Sequence, residues 1–465
     1  MAVTAISNFA RTPIVLLGMV EAAVLYASVY IASLALCGEG SQCDPITAAA
    51  SPHALLVAAV MVASLTAMGL YQLRERMLFH EVAVRLFVGV GVGSLVLAAF
   101  CLAVSPSSLS EVLVCVAAVC AFPVLLLLRF FVLRHADQNV FRRRTLIYGS
   151  GERAASISAL RRQADRRGFK IVGSVPARDE EGDRDGGSRP AAERSILEVA
   201  LETGAEEIVV AIDDRRGKLP VRELLDCRLR GIAVMDVLEF LERETGKIRL
   251  DLVSPGWFIF SEGFRKTRLT EFVKRGTDVL LSALVVIIGW PVLLGIALAI
   301  KIEDGWRSPV LYRQQRVGHG GLPFDVLKFR SMVVDAEADG RAVWAIPNDK
   351  RVTTVGRLIR KVRLDELPQM FNVLRGEMSI VGPRPERPEF VEQLSKCISY
   401  YSERHTVKPG ITGWAQLRYS YGASQRDAVE KLQYDLYYVK NHSLLLDFLI
   451  ILQTTEVVLW GKGGR

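Results

Sequence analysis

Hydrophobic residues are concentrated in the first third of the chain, in four long runs separated by short polar stretches. The runs cover Pro13 to Cys37, Leu55 to Leu73, Val82 to Val104 and Val112 to Leu133. Each has roughly the 17–25 residues that a helix needs to cross the hydrocarbon core of a bilayer. The pattern predicts an α-helical membrane bundle over residues 1–137.

Basic residues alternate between the loops that connect these runs. The connections at 38–53 and 105–111 contain no Lys or Arg, whereas Arg74 and Arg76 follow the second run and Arg142-Arg143-Arg144 follow the fourth. Because Lys and Arg accumulate in cytoplasmic loops, both ends of the bundle are predicted to face the cytoplasm. Everything from residue 135 onward is then expected to be cytoplasmic, and the protein to be a multi-pass membrane protein.

Residues 138–245 alternate between strand and helix patterns, which predicts a parallel sheet in an α/β, Rossmann-like middle domain. The turn Gly149-x-Gly151-x-x-Ala154 matches the fingerprint that holds a dinucleotide pyrophosphate at a helix N-terminus. No acidic residue ends the second strand, where a ribose hydroxyl would be bound. A structural or regulatory module is therefore favoured over a nucleotide site, which stays open as the alternative. The predicted strands are Thr145 to Tyr148, Lys170 to Val175, Glu207 to Ile212 and Ile232 to Val237.

A fifth apolar run, residues 279–300, follows a linker at 246–268 and contains no charged residue. Cations flank both of its ends, although a crossing helix normally shows charge asymmetry. Pro291 lies in its middle and removes a backbone hydrogen bond. We expect a re-entrant helix that breaks at Pro291 and returns to the cytoplasmic face; an ordinary kinked crossing is the alternative. The flanking cations are Arg265, Lys266, Arg268, Lys274, Arg275, Lys301, Arg307 and Arg313.

Two adjacent carboxylates, Asp365 and Glu366, stand among cations just ahead of Pro368. Such a pair has three interpretations: a solvated salt-bridge network, a Mg²⁺ site completed by substrate phosphates, or an Asp that attacks phosphorus and forms an acyl phosphate. Nearby cations would neutralise the charge that develops during phosphoryl transfer. Arg384 lies between two prolines, which limits its backbone freedom and would preorganise its guanidinium for a phosphate.

The segment from about Leu269 to Gly461 resembles the bacterial polyprenyl-phosphate hexose-1-phosphate transferases, also called monotopic phosphoglycosyl transferases. Together with the four-helix N-terminus and the middle domain, it resembles the large subclass that primes exopolysaccharide synthesis. The segments Trp257 to Phe264 and Tyr419 to Ser424 are similar to an exosortase-associated branch. The motifs that carry the family resemblance are Lys274-Arg275-x-x-Asp278, Gln315-Arg316-Val317-Gly318, Lys328-Phe329-Arg330-Ser331-Met332, Arg363-Leu364-Asp365-Glu366-Leu367-Pro368-Gln369, Val381-Gly382-Pro383-Arg384-Pro385 and Pro409-Gly410-Ile411-Thr412-Gly413-Trp414-Ala415-Gln416.

The resemblance implies a reaction at the cytoplasmic face: transfer of a sugar 1-phosphate from a UDP-sugar to undecaprenyl phosphate, with release of UMP. Asp365 would be the nucleophile that forms a phospho-sugar intermediate and a ligand of Mg²⁺, and Glu366 would act as base or position the acceptor phosphate. The fold implied for 269–465 is a mixed, mainly α monotopic catalytic domain. Downstream glycosyltransferases would be partners, and a homodimer is an open alternative because long membrane bundles often associate.

The resemblance also assigns substrate-binding residues. Lys328 and Arg330 would contact the diphosphate, and Arg384 would bind a phosphate of the donor or the intermediate. Lys274, Arg275 and Asp278 would anchor the re-entrant helix and orient the lipid phosphate. The family break is often Ser-Pro, and here Trp290 precedes Pro291, so the bend would form without a hydroxyl at the broken hydrogen bond. The complete substrate-binding set is Lys328, Arg330, Ser331, Arg363, Arg384, Lys274, Arg275 and Asp278.

Composition fits a membrane protein that binds phosphates. Half of the residues are hydrophobic, the mean hydropathy is +0.26 and the net charge is +8. The excess of cations is assigned to the cytoplasmic membrane side and to substrate phosphates, so nucleic acid is excluded as a partner. The cysteines lack metal-site spacing, and Cys37 and Cys43 could pair outside the membrane. Two rival functions are a non-enzymatic scaffold of polysaccharide export and a membrane nucleotide-sugar dehydratase, but the middle domain lacks the Tyr-x-x-x-Lys of the latter.

Overall fold

The chain divides into two compact units, Ile6–Ser254 and Pro255–Arg465. The cysteine pair proposed from the sequence, Cys37 and Cys43, lies outside the described residues. The computed structural model describes residues 12–36, 52–71, 79–104, 111–135, 142–160, 165, 168–177, 195–213, 219–261, 263–264, 267–333, 351–419, 422 and 424–459.

Four apolar helices form the N-terminal part: α1 (Thr12–Leu36), α2 (Pro52–Ala67), α3 (Phe79–Val104) and α4 (Glu111–His135). Within the described ranges, α1, α3 and α4 are long and apolar enough to cross a membrane, as is one later helix. The second helix is shorter than predicted, because it ends at Ala67 and the apolar run continues through Leu73.

Charged side chains inside the bundle explain why α2 ends early. Arg85 Nη1 donates to the carbonyl of Met68 at 3.0 Å, and Arg129 Nη1 donates to that of Leu70 at 2.5 Å. Both carbonyls lie just after the helix, where backbone groups lack an intrahelical partner and must be satisfied within the protein. Arg129 also pairs with Glu21, which is fully buried, through bonds of 2.5 and 2.8 Å.

The middle part is a four-stranded parallel sheet with strand order β2-β1-β3-β4. Strand β3, one of the two interior strands, is buried along its whole length, which fits the apolar run Ile208 to Val210. Helix α5 follows the glycine-rich turn and ends at Ser158. The elements are β1 (Arg143–Tyr148), α5 (Glu152–Ser158), β2 (Phe169–Val175), α6 (Ile196–Thr203), β3 (Glu207–Val210), α7 (Val221–Leu229), β4 (Ala233–Asp236) and α8 (Val237–Thr245).

The second unit begins with α9 (Pro255–Phe260) and the 37-residue helix α10 (Arg268–Asp304). Pro291 lies inside α10, yet the helix is continuous, so the break predicted there does not interrupt it. A proline removes one hydrogen bond and bends an axis while both sides stay helical. The re-entrant path of α10 therefore stays a prediction.

The rest of the second unit surrounds a small set of β-strands. The antiparallel pair β5–β6 packs against α12, and the short parallel pair β7–β8 brings two Gly-rich segments together. The elements are β5 (Leu311–Val317), β6 (Pro323–Phe329), α11 (Thr354–Lys361), α12 (Gln369–Arg375), β7 (Ser379–Val381), α13 (Pro388–Cys397), β8 (Gly410–Thr412), α14 (Trp414–Arg418), α15 (Gln425–Asn441) and α16 (Leu444–Leu459).

Candidate active site

The carboxylate pair lies on a tight turn between α11 and α12. Arg363 has a left-handed backbone with φ of 58°, which ends α11, and Leu364–Glu366 then form a single 3₁₀ turn. Pro368, with φ of −60°, starts α12 because its fixed φ suits the first turn of a helix. Asp365 and Glu366 therefore lie on a short segment held at both ends by helices.

Glu366 joins two cations from distant parts of the chain. Its Oε1 accepts from Lys328 Nζ on β6 at 3.1 Å and from Arg384 Nη2 at 3.0 Å. Burial alone would raise the pKa of this carboxyl, but the charges of Arg384 and Lys328 outweigh it and hold the pKa well below its usual range. Glu366 is thus ionised at neutral pH and brings Lys328 and Arg384 to one point.

Asp365 has the opposite electrostatic character. Burial raises its pKa, and the nearby charge of Lys328 only partly offsets that effect. Among the side chains described, none forms an ion pair with Asp365, whereas Glu366 has two. A desolvated carboxylate without an ion pair is a stronger nucleophile and an available ligand, because no cation is bonded to its charge.

Lys328 is positioned by the packing of β6 on α12. Asn372, which is fully buried, accepts from the N–H of Leu327 at 3.0 Å and donates to the carbonyl of Asp325 at 2.7 Å. Burial lowers the pKa of Lys328, and Glu366 opposes this shift. The Asn372 amide therefore fixes the strand that carries the lysine. Sequence reasoning assigned Asn372 no role, although it lies only seven residues after Asp365.

The segment carrying Arg384 is held by backbone contacts that only glycine permits. A Cβ on Gly382 would lie 2.3 Å from the carbonyl oxygen of Lys408, and one on Gly413 would lie 2.3 Å from the carbonyl oxygen of Gly382. The N–H of Gly410 donates to the carbonyl of Pro383 at 2.9 Å. These close approaches make the segment from Val381 to Pro385 rigid, as its two prolines predict.

Arg404, a buried arginine that sequence reasoning missed, holds the backbone of Arg384 in place. Arg404 Nη2 donates to the carbonyl of Arg384 at 2.9 Å and to Asp435 Oδ2 at 2.8 Å. Arg404 Nη1 donates to the Tyr401 hydroxyl at 2.9 Å. The side chains of Arg404 and Asp435 are 6% and 3% exposed, and a buried ion pair of this kind fixes geometry more reliably than it adds stability. No local pattern identified it, because Asp435 lies on α15.

Two further predicted residues follow Lys328 at the end of β6. Nη1 of Arg330 is buried and has no hydrogen-bond partner within the described structure. A buried cationic donor without a partner is costly, and a bound anion would satisfy it. Ser331 contributes its carbonyl, which accepts from the N–H of Thr353 at 3.2 Å and lies against Gly356. Arg363 is exposed at the left-handed position before the carboxylate turn.

The three predicted residues at the start of α10 contact protein groups. Lys274 Nζ pairs with Asp447 Oδ2 at 2.5 Å, and the Arg275 guanidinium donates to the carbonyls of Val373 and Leu374 at 2.5 and 2.8 Å. Asp278 is buried and accepts from the N–H of Ile380 at 3.1 Å. These contacts tie α10 to α12, β7 and α16.

The carboxylates at this site fit a Mg²⁺ ion only if substrate phosphates and waters supply its other ligands. Among the residues described, no three His, Cys, Asp or Glu side chains are grouped in a way that could hold a metal. Mg²⁺ is commonly bound through one or two carboxylates plus waters and substrate phosphates. Asp365, which has no ion pair, could supply one such ligand, while Glu366 is already engaged by two cations.

The glycine-rich turn of the middle sheet is occupied by the chain itself. Asp213 Oδ2 accepts from the N–H of Glu152 at 2.8 Å, and Oδ1 accepts from that of Arg153 at 2.9 Å. A Cβ on Gly151 would lie 1.9 Å from Asp213 Oδ2. The carboxylate therefore takes the position that a pyrophosphate occupies in a dinucleotide site, which agrees with a structural or regulatory module.

The C-terminal arrangement defines a class: a partly buried carboxylate surrounded by cations in a membrane-associated unit, suited to phosphoryl transfer. Residues 269–461 match the family model described as bacterial sugar transferase. The chain is 42% identical over 189 residues to a UDP-glucose:undecaprenyl-phosphate glucose-1-phosphate transferase of Caulobacter vibrioides, covering 40% of this chain and 69% of that protein. The chain belongs to the bacterial sugar transferase family, as its motifs predicted.

Two other relatives extend the likeness. The chain is 41% identical over 253 residues to a UDP-N-acetylgalactosamine-undecaprenyl-phosphate N-acetylgalactosaminephosphotransferase of Aeromonas hydrophila, covering 54% of this chain and 58% of that protein. It is 36% identical over 337 residues to an undecaprenyl-phosphate glucose phosphotransferase of Komagataeibacter xylinus, covering 69% of this chain and 60% of that protein. The chain thus spans less than two thirds of the length of these two relatives.

Proposed function

We propose that this protein transfers a sugar 1-phosphate from a UDP-sugar to undecaprenyl phosphate, as the names of its relatives describe for them. The observation that carries the proposal is the pairing of unlike carboxylates on one turn. Glu366 holds two cations, and Asp365 beside it is desolvated and has no ion pair among the described residues. This arrangement offers a nucleophile together with charges that stabilise a phosphoryl group.

The proposed reaction has two steps through one intermediate. A carboxylate oxygen of Asp365 attacks the phosphorus that carries the sugar, the bond from that phosphorus to UMP breaks, and UMP leaves with the electron pair. An oxygen of undecaprenyl phosphate then attacks the same phosphorus, and the bond to Asp365 breaks. The sugar diphospholipid is released and the carboxylate is restored. One site can thus serve a soluble donor and a lipid acceptor in turn.

The proposed roles of the cations follow from their positions. Lys328 and Arg384 converge on Glu366 and would bind the diphosphate, and the unpartnered Nη1 of Arg330 would add a third donor. Since the pKa of Glu366 is strongly depressed, it is a weak base, so we assign it the positioning of the two cations. When bound, Mg²⁺ would neutralise phosphate charge, with Asp365 as its protein ligand.

The domain organisation and the membrane location of the protein are proposed from its sequence and its family. We infer three domains, 1–137, 138–245 and 269–465, with the middle one Rossmann-like. We place the protein in a bacterial inner membrane with the catalytic unit on the cytoplasmic side. A bend of α10 near Pro291 would return the helix to that side. Only 11% of the apolar window of α10 is buried within the protein, which supports contact with lipid.

The test is UMP release from a panel of UDP-sugars by the full chain with undecaprenyl phosphate and Mg²⁺. Asp365→Asn should reduce the rate at least roughly 10³-fold, since loss of a covalent nucleophile has effects of this order or larger. The matched control is Asp325→Asn, an exposed aspartate on β6, which should retain the rate. Near-wild-type turnover of Asp365→Asn would exclude the nucleophile. Absence of UMP release by the wild-type chain across the panel would favour a scaffold.

A further inference from the structure

Helix α9 has two sides of different character. Phe258 packs on Tyr400 with ring centroids 4.5 Å apart, and Trp257 lies under Lys440 Nζ at 4.5 Å from its ring centroid. The other side carries Ile259 and Phe260, which are 76% and 85% exposed. The aromatic contacts fix the helix on its own unit, so the exposure of the two apolar side chains is a defined feature of the fold.

Exposed apolar residues continue on the neighbouring elements. Leu269 and Phe272 lie three residues apart on the first turns of α10 and are 72% and 76% exposed. Seven residues separate α9 from α10, which limits the gap between them to roughly 25 Å. On α16, Leu445 and Phe448 are 42% and 50% exposed. Apolar surface of this extent marks an interaction site.

Two contacts bring these elements together. Lys274 of α10 pairs with Asp447 of α16 at 2.5 Å. Lys440, which lies over the Trp257 ring, is near the end of α15, and α16 begins four residues later at Leu444. The exposed side chains of α9, α10 and α16 therefore belong to one region of the unit, and α10 is a helix apolar enough to span a membrane.

The charge of this region indicates what its exposed apolar side chains contact. The sequence from residue 255 to 275 contains five cations and two acidic residues. Apolar and aromatic side chains beside Lys and Arg are typical of segments that lie in the interface of an anionic membrane. Trp and Lys are themselves enriched at headgroup depth. A second copy of the chain would meet this excess of positive charge with the same charge, which disfavours self-association here.

We propose that α9 is a membrane-interface anchor that inserts Ile259 and Phe260 among the headgroups and upper acyl chains of an anionic bilayer. It lies outside residues 269–461, which match the family model. The inference requires that α10 enters the membrane and does not depend on the sugar-phosphate reaction. The anchor would hold the catalytic unit at a fixed depth and fix where α10 enters the lipid.

The test uses the full chain in nanodiscs of phosphatidylglycerol and phosphatidylcholine, with a solvatochromic amino acid incorporated in place of Phe260. The matched control carries the probe in place of Leu229 on α7, a position that is 77% exposed. We expect blue-shifted emission at position 260 that lipids brominated near the headgroup quench several-fold more strongly than at position 229.

Two results would overturn the proposal. Emission at position 260 that resembles the aqueous control would show that the side chain faces water. Blue-shifted emission without quenching by brominated lipid would show that protein covers the side chain, as in contact with a second copy. Because position 260 is highly exposed, the probe should not disturb folding, and UMP release by the labelled chain serves as a separate check on the proposed reaction.

Discussion

Two regions of this chain carry sequence signs of phosphate binding, and they differ in how the protein satisfies their charges. At the glycine-rich turn of the middle sheet, both carboxylate oxygens of Asp213 accept from the N–H groups of Glu152 and Arg153 at 2.8 and 2.9 Å. At the carboxylate turn, Lys328 and Arg384 share one partner, Glu366. The comparison shows that a glycine-rich motif alone does not mark a phosphate site, because a carboxylate of the chain can accept from its N–H groups.

After Asp365→Asn, the largest effect is expected from removing a cation of the proposed catalytic cluster. Arg384→Ala should lower kcat/KM for UMP release roughly 10²–10³-fold, since the lost guanidinium would otherwise stabilise charge in the transition state. Steady-state kinetics of UMP release measures this. Arg357→Ala, on the exposed side of α11, is the control and should stay within about threefold of wild type. Equal rates for the two variants would mean that Arg384 only neutralises the charge of Glu366 and does not act on the substrate.

A smaller effect tests the electrostatic link between Lys328 and Asp365. The pKa of Asp365 is raised by burial and lowered by Lys328, and the proposed nucleophile must be ionised. The rate should therefore fall as the pH drops through a pKa above the usual aspartate value. In Lys328→Met the opposing charge is lost, so the acid limb of kcat/KM should move to higher pH. The residual rate should be lower at every pH.

The pH–rate profile of UMP release measures this shift. Lys396→Met is the matched control, since the Lys396 side chain is 71% exposed and pairs with Glu392 on the surface of α13. Its profile should coincide with that of the wild type. An acid limb that stays in place or moves to lower pH in Lys328→Met would contradict the assignment of that limb to Asp365.

Sequence reasoning located what is local in the two regions. Asp365 and Glu366 are adjacent, and the proline that follows predicts a helix start, so their turn could be found from a few residues. The difference in charge environment between Asp365 and Glu366 could not be predicted. It depends on Lys328 and Arg384, which approach Glu366 only after folding. The support of Arg384 by Arg404 has the same origin, since the buried partner Asp435 is 31 residues further along the chain.

The same limit explains one incorrect boundary and one contact that could not be predicted. Hydropathy continues through Leu73, but α2 ends at Ala67 because Arg85 and Arg129 from other helices satisfy the carbonyls that follow. The turn around Gly149 could be predicted from its glycines. The hydrogen bonds from this turn to Asp213 could not be predicted, since that carboxylate lies 61 residues from Glu152. A pattern within one segment contains no information on which distant side chain completes it.

The smallest effect is expected at the middle turn. Asp213→Ala should free the N–H groups of Glu152 and Arg153 and destabilise the start of α5 by about 1 kcal/mol, as the loss of a helix cap does. Hydrogen–deuterium exchange of a peptide covering these amides should then be roughly fivefold faster. Asp226→Ala, at an exposed position of α7, is the control and should not change this peptide. The rate of UMP release should be unchanged in both variants.

Nucleotide binding decides whether the two regions differ in function as well as in structure. With Asp213 in place, neither NAD⁺ nor UDP should slow exchange at Glu152 and Arg153, because the carboxylate already uses both donors. Protection of these amides by either nucleotide in the wild-type chain would contradict the comparison. It would mean that Asp213 moves aside for a ligand, and that the glycine-rich turn is a second phosphate site whose donors are only temporarily satisfied by the chain.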